Sequence, residues 1–202
     1  MRGMGAGTTS PSLLARLRNP QDEAAWRIFE GRYRDLIRRY CRRRGLQTAD
    51  SEDIGQLVLI AMARALPAFR YRPERGRFRD YLGRVTENAI RRQLKRQTRG
   101  DVLLDTSVLD EMTIVGEEPL EPAWLDEWTQ HHLRVAMHAV RASTRPGSLA
   151  IFERLLAGES VTGVAEATNS SLEAVYKAKQ RVAERLRVEI EGQLRDEDAS
   201  AS

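Results

Sequence analysis

Apolar residues recur along this chain at three- and four-residue steps and nowhere alternate for long, a pattern that predicts helices and no strands. Trp26, Phe29, Tyr33, Leu36, Ile37 and Tyr40 form the first long stripe. Asn19-Pro20 ahead of it offers a cap and a first-turn proline, with Asp22 and Glu23 in the opening turn. Arg42–Arg44 suit the negative end of that helix, and Gly45 can terminate it. A short helix is expected over Ser12–Arg18, after a start (1–11) rich enough in Gly, Thr and Ser to predict disorder. The next helix should begin near Thr48–Asp50, carry Ile54, Leu57, Val58, Ala61, Ala65 and Leu66 inward, and stop before Pro67. Phe69–Arg77, with Pro73 and Gly76, reads as a loop. A third long helix (78–96) then places Phe78, Tyr81, Leu82, Val85 and Ala89 on one face.

Further along, Trp124–Arg141 can form a helix with Trp124, Trp128, Leu133, Ala136, Met137 and Val140 on one side. Pro146-Gly147-Ser148 restarts the chain into a short helix ended by Gly158. Val161–Ser170 has the small residues and the turn-forming Asn169 of a helix-turn-helix. Ser170 or Ser171 should cap a last helix, Leu172 to about Gln193, with Val175, Ala178, Val182, Leu186 and Ile190 inward. The expected fold class is all-α, with two helical domains joined by a linker. The parse is a disordered start 1–11, a first domain 12–100, a linker 101–128, a second domain 129–193 and a tail 194–202.

Charge supports that parse. Eleven basic residues lie between Arg70 and Arg99 against Glu74, Asp80 and Glu87, whereas Asp101–Leu133 holds nine carboxylates and no Lys or Arg. The acidic stretch contains Gly116, Pro119 and Pro122 and no sustained helical period, so it reads as a linker. Cations neutralise phosphates and aromatic faces stack on unpaired bases. Phe69, Tyr71, Phe78 and Tyr81, set among the arginines, therefore point to nucleic-acid contact. On the last helix, Glu173, Tyr176, Lys177, Gln180 and Arg181 face outward near its start, where major-groove readers sit, with Lys179 and Arg185 placed for phosphates.

Composition narrows the classes. The chain has 202 residues, 41% hydrophobic and 31% charged, a net charge of +4, and no apolar run long enough for a membrane span. Neither a signal-peptide core nor a membrane insertion is expected, and the cytoplasm is the expected location. Cys41 is the lone cysteine and His131, His132 and His138 are the only histidines, which excludes disulfides within the chain and cysteine-cluster zinc sites. There is no Walker motif and no expected cofactor or metal.

The order of these parts resembles the small, two-domain extracytoplasmic-function (ECF) sigma factors of the sigma-70 family. Asp50-Ser-Glu-Asp-Ile-Gly-Gln56 with Leu57–Leu66 is similar to the family's core-polymerase-binding region 2.2. Phe69–Leu82, continuing through Asn88 to Lys95, is similar to regions 2.3 and 2.4, which melt and read the −10 element, and Glu159–Arg187 is similar to region 4, which reads the −35 element. Leu57 stands where the family usually has an acid, Tyr81 where it often has Trp, and Ala174-Val175 where it usually has Thr-Val.

The resemblance implies a bacterial, non-catalytic initiation factor that binds core RNA polymerase and directs promoter recognition and melting. Core binding would fall to Glu52, Asp53 and Gln56, and −10 binding to Phe69, Arg70, Tyr71, Arg77, Asn88, Arg91, Arg92 and Lys95. The −35 set is Glu173, Tyr176, Lys177, Lys179, Gln180, Arg181 and Arg185. Implied partners are core polymerase, through the coiled coil of its largest subunit and the flap of its second-largest subunit, and promoter DNA. An anti-sigma factor is a further candidate partner. In that family the linker threads the polymerase cleft, where an acidic peptide could stand in for the transcript. Two rivals remain: a helix-turn-helix repressor or activator that needs no polymerase, and a nuclease using Asp50, Glu52 and Asp53 as metal ligands.

Overall fold

The computed structural model describes residues 13–68, 78–99 and 119–198. All regular structure among them is helical: α1 (Leu13–Arg16), α2 (Glu23–Arg43), α3 (Thr48–Ala65), a 3-10 turn (Leu66–Ala68), α4 (Phe78–Arg99), α5 (Pro122–Ser143), α6 (Pro146–Leu156), α7 (Val161–Ala167) and α8 (Leu172–Asp198). The chain divides into two compact units, one built from residues up to Trp128 and the other from Thr129–Arg195.

In the first unit α2 and α3 pack as neighbours and α3 packs in turn on α4. The expected stripe of α2 is buried, with Phe29, Leu36, Ile37 and Tyr40 wholly inside and Trp26 at the edge of the cluster. The cap of α2 is Asp22 rather than Asn19. The Asp22 carboxylate accepts the Ala25 N–H at 2.9 Å and pairs through both oxygens with Arg16, while the Asn19 side chain is spent on the Gln21 N–H. The Arg16 guanidinium, and then the Ala25 N–H, hold the Asp22 carboxyl below its usual range. Gly45 takes a left-handed φ of 87°, so that its N–H reaches the Arg42 carbonyl and the Leu46 N–H reaches that of Cys41, closing the helix end.

The expected linker is not a tether over its whole length. Residues 101–118 lie outside the described residues, but Pro122–Trp128 opens α5 and belongs to the first unit. Trp124 is wholly buried, meets Tyr40 edge-on with ring centroids 5.0 Å apart, and donates its indole N–H to the Arg79 carbonyl at 3.0 Å. Trp128 stacks on Tyr33, 5.9 Å between centroids. The sequence pattern had placed both tryptophans inside the expected linker, at the start of a helix running on into the second domain. The space for Trp124 exists because residue 83 is glycine: a Cβ there would lie 2.5 Å from Trp124 Nε1 and 2.9 Å from Leu120 Cδ2. Three of the linker's acids are paired as well, Asp126 and Glu127 with Arg43 at 2.7 and 3.3 Å and Glu121 with Arg44 at 3.5 Å.

A polar cluster lies at the base of this packing. Glu87 is 5% exposed, accepts the Tyr40 hydroxyl, and meets Arg44 at 3.2 Å. Burial, reinforced by that carboxylate, pushes the Tyr40 hydroxyl well above its usual range, so it remains a donor at any ordinary pH. Tyr40→Phe strips a buried carboxylate of a donor and is expected to cost about 1–3 kcal/mol, read as a lower urea midpoint at unchanged slope. An unchanged midpoint would show that Arg44 alone satisfies Glu87.

In the second unit Ala136, Val140, Phe152, Val182 and Leu186 form one cluster, and Ile151, Val164, Ala165, Val175 and Ala178 a second. Leu133, expected inside, is 40% exposed; the neighbouring His131 and His132 are the buried pair, with His132 Nδ1 at 2.6 Å from Gln193 Oε1. Asn169 makes the turn between α7 and α8 at a φ of 47°, and Ser171 is the cap, its hydroxyl accepting the Ala174 N–H at 3.1 Å. The last helix continues beyond Gln193, so residues 194–198 of the expected tail are helical.

Candidate nucleic-acid and polymerase interfaces

Along α3 the buried side carries Ser51, Ile54, Gly55, Val58, Ala61 and Met62. Glu52, Asp53 and Gln56 are all exposed on the other side. Glu52 lies 3.6 Å from Arg38, and Asp50 accepts the Gln93 amide at 3.0 Å. Ile60, 46% exposed, follows Asp53 and Gln56 at steps of three and four residues and shares their face. The sequence pattern left Ile60 unassigned. The signal was there: an isoleucine outside the apolar stripe, set among polar residues. The three acids proposed as nuclease ligands do not converge, and among the described residues no group of three or more His, Cys, Asp or Glu could hold a metal ion.

On α4 the core takes Phe78, Leu82, Val85, Ala89 and Ile90. Phe78, read above as one of the stacking aromatics, is 1% exposed and lies between Phe29 and Tyr33, so it cannot reach a base. Tyr81 is half-buried against the same core, and that burial raises its hydroxyl to about 12. Phe69, Arg70, Tyr71 and Arg77 lie outside the described residues. Asn88 and Arg92 are half-buried, and Arg91 and Lys95 are exposed. With Glu87 inside and Asp80 held at 3.2 Å by Arg79, the outward charge of α4 is cationic.

On α8 Val175, Ala178, Val182 and Leu186 are buried, and Glu173, Tyr176, Lys177, Lys179, Gln180, Arg181 and Arg185 are all exposed. Glu173 and Lys177 pair at 2.5 Å. Arg181 donates to the Ser148 hydroxyl at 3.3 Å, and Arg185 donates to the Ser143 carbonyl at 2.7 Å, a cation closing the C-terminal end of α5. Arg185 thus has a structural post that the sequence pattern did not disclose.

The fold is therefore an all-α protein of two units, with a polar helix face and a cationic helix in the first and a helix-turn-helix in the second. Residues 31–100 match the family model for sigma-70 region 2. That match covers about a third of the chain and supports a sigma-70 family sigma factor, with a role in RNA polymerase binding and promoter melting. No curated protein matches the chain. Among the described residues no helix is long and apolar enough to cross a membrane.

Proposed function

We propose that the chain is an ECF-type sigma factor that docks on core RNA polymerase through α3, captures the melted −10 strand on α4 with the loop before it, and reads the −35 element with α8. The observation that carries this reading is the region 2 match over the segment that holds both the polar face of α3 and the cationic run of α4. Asp53, Gln56 and Glu52 would meet the coiled coil of the polymerase's largest subunit, with Ile60 as the apolar contact among them. Asn88 would meet −10 bases, and Arg91, Arg92 and Lys95 the phosphates. Phe69, Arg70, Tyr71 and Arg77 would complete that site.

In the second unit Glu173, Tyr176, Lys177, Gln180 and Arg181 would reach base edges, and Lys179 and Arg185 the backbone. The region 4 assignment rests on the helix-turn-helix geometry at Asn169 and on the outward set of α8. A promoter library selected with a Lys177→Ala, Arg181→Ala holoenzyme is expected to return a relaxed −35 preference, each true base contact being worth about 1–3 kcal/mol. Identical selected sequences would remove both residues from the reading set. The cytoplasm, as the site of transcription, is the proposed location.

The reading as a whole is tested by duplex promoter binding with and without purified core polymerase. A sigma factor binds the promoter weakly alone and tightly with core. A repressor binds equally well without it, and that result would replace this reading.

A further inference from the structure

The end of the acidic segment lies along one face of α4, running against it. Trp124 bonds the Arg79 carbonyl, Trp124 and Leu120 both press on Gly83, and Glu121 joins Glu87 through Arg44. Pro119, Leu120 and Glu121 then line a cavity of about 180 Å³ with Arg84, Glu87, Asn88 and Arg91. Positions 79, 83, 87 and 91 are successive turns of one helix face. The two ends of this strap are held differently. Trp124 is wholly buried in an aromatic core, whereas Leu120 is only partly buried at the edge of that core and Pro119 and Glu121 flank it over a polar cavity in which Glu87 Oε2 and Arg84 Nε are buried without hydrogen-bond partners. A polar cavity of that size takes up water, and a segment resting on it opens more readily than one packed on apolar side chains.

We propose that Pro119–Glu121 is an intramolecular lid at the nucleic-acid face of α4: in the free protein it lies over the half-buried Asn88 and beside the exposed Arg91, and it lifts, pivoting on the Trp124 anchor, when a nucleic-acid strand arrives. The lid competes by charge. Glu121 places a carboxylate beside a cavity lined by Arg84 and Arg91, where an anionic strand would compete for the same cations, and the sequence before it, Glu117-Glu118, carries the same sign. The inference rests on α4 being the nucleic-acid face proposed above. It adds that the chain lowers its own affinity for the strand until an anionic ligand displaces the lid.

The test uses the full chain and a short, labelled single-stranded DNA. Leu120→Ala loosens the lid with no change of charge, whereas Glu121→Gln also removes one negative charge; each is expected to tighten binding about two- to fivefold, and the charge-neutral Leu120→Ala carries the test. In the unlabelled-DNA complex, the Leu120 methyl signals, shifted by the nearby Trp124 ring in the free protein, should move toward random-coil positions while the Trp124 indole N–H signal stays in place. Three results would overturn the proposal: variants that bind no tighter than the parent, Leu120 methyl signals unmoved at saturating DNA, or no binding by any form. Core polymerase pull-down is read separately, so failure of the sigma-factor reading is distinguishable from failure of the lid.

Discussion

Replacing Trp124 with alanine is expected to lower the unfolding free energy by about 3–5 kcal/mol, the range for deleting a large buried aromatic. The side chain is wholly buried, its N–H has a partner in the Arg79 carbonyl, and it fills the space left by Gly83. Gly83→Val should approach the same loss from the other side, because its side chain would enter the volume of the indole. The two changes act on one contact, so the double variant should lose much less than the sum. Urea unfolding of the three variants checks this. A loss under about 1 kcal/mol for Trp124→Ala would mean that α5 does not complete the first unit.

The second large effect concerns docking on polymerase. Asp53→Ala combined with Gln56→Ala is expected to weaken core binding about thirtyfold, roughly the 2 kcal/mol of an interface hot spot. Both side chains are exposed on α3 and touch none of the buried cluster, so helicity and melting temperature should hold. Ile60→Ser on the same face should add to the loss. Unchanged core affinity in the double variant would remove α3 as the docking helix.

Much of the architecture was legible in the chain because helical period is a local property. The stripe of α2, the stop at Gly45, the turn at Asn169 and the inward set of α8 each depend on neighbours within a few residues, and each lies where the pattern places it. Period shows which face of a helix is apolar but not what covers it. Trp124 and Trp128 therefore read as part of the helix that follows them, although their partners, Tyr40 and Tyr33, lie far back in the chain. The same limit applies to Glu87, which reads as one acid among surface arginines until Tyr40 and Arg44 are seen to enclose it. Asn19 lost the cap to Asp22 because two candidates three residues apart compete, and the pair with Arg16, six residues before Asp22, favours the second.

Among the candidate site residues, composition and spacing pointed to the cationic helix and to the outward face of α8, since both are sequence-local. Phe78 was misread as a stacking aromatic because a residue at the junction of loop and helix belongs to both patterns, and burial decides between them. Arg185 was read as a phosphate contact, and its bond to the Ser143 carbonyl is a tertiary fact that spacing could not carry.

Run-off transcription with purified core polymerase tests the central claim most directly. With core supplied and a promoter selected by the holoenzyme, the chain should give a discrete transcript and permanganate-reactive thymines across the −10 region, and core alone should give neither. A chain that binds the duplex yet yields no transcript and no melting with core would contradict the account.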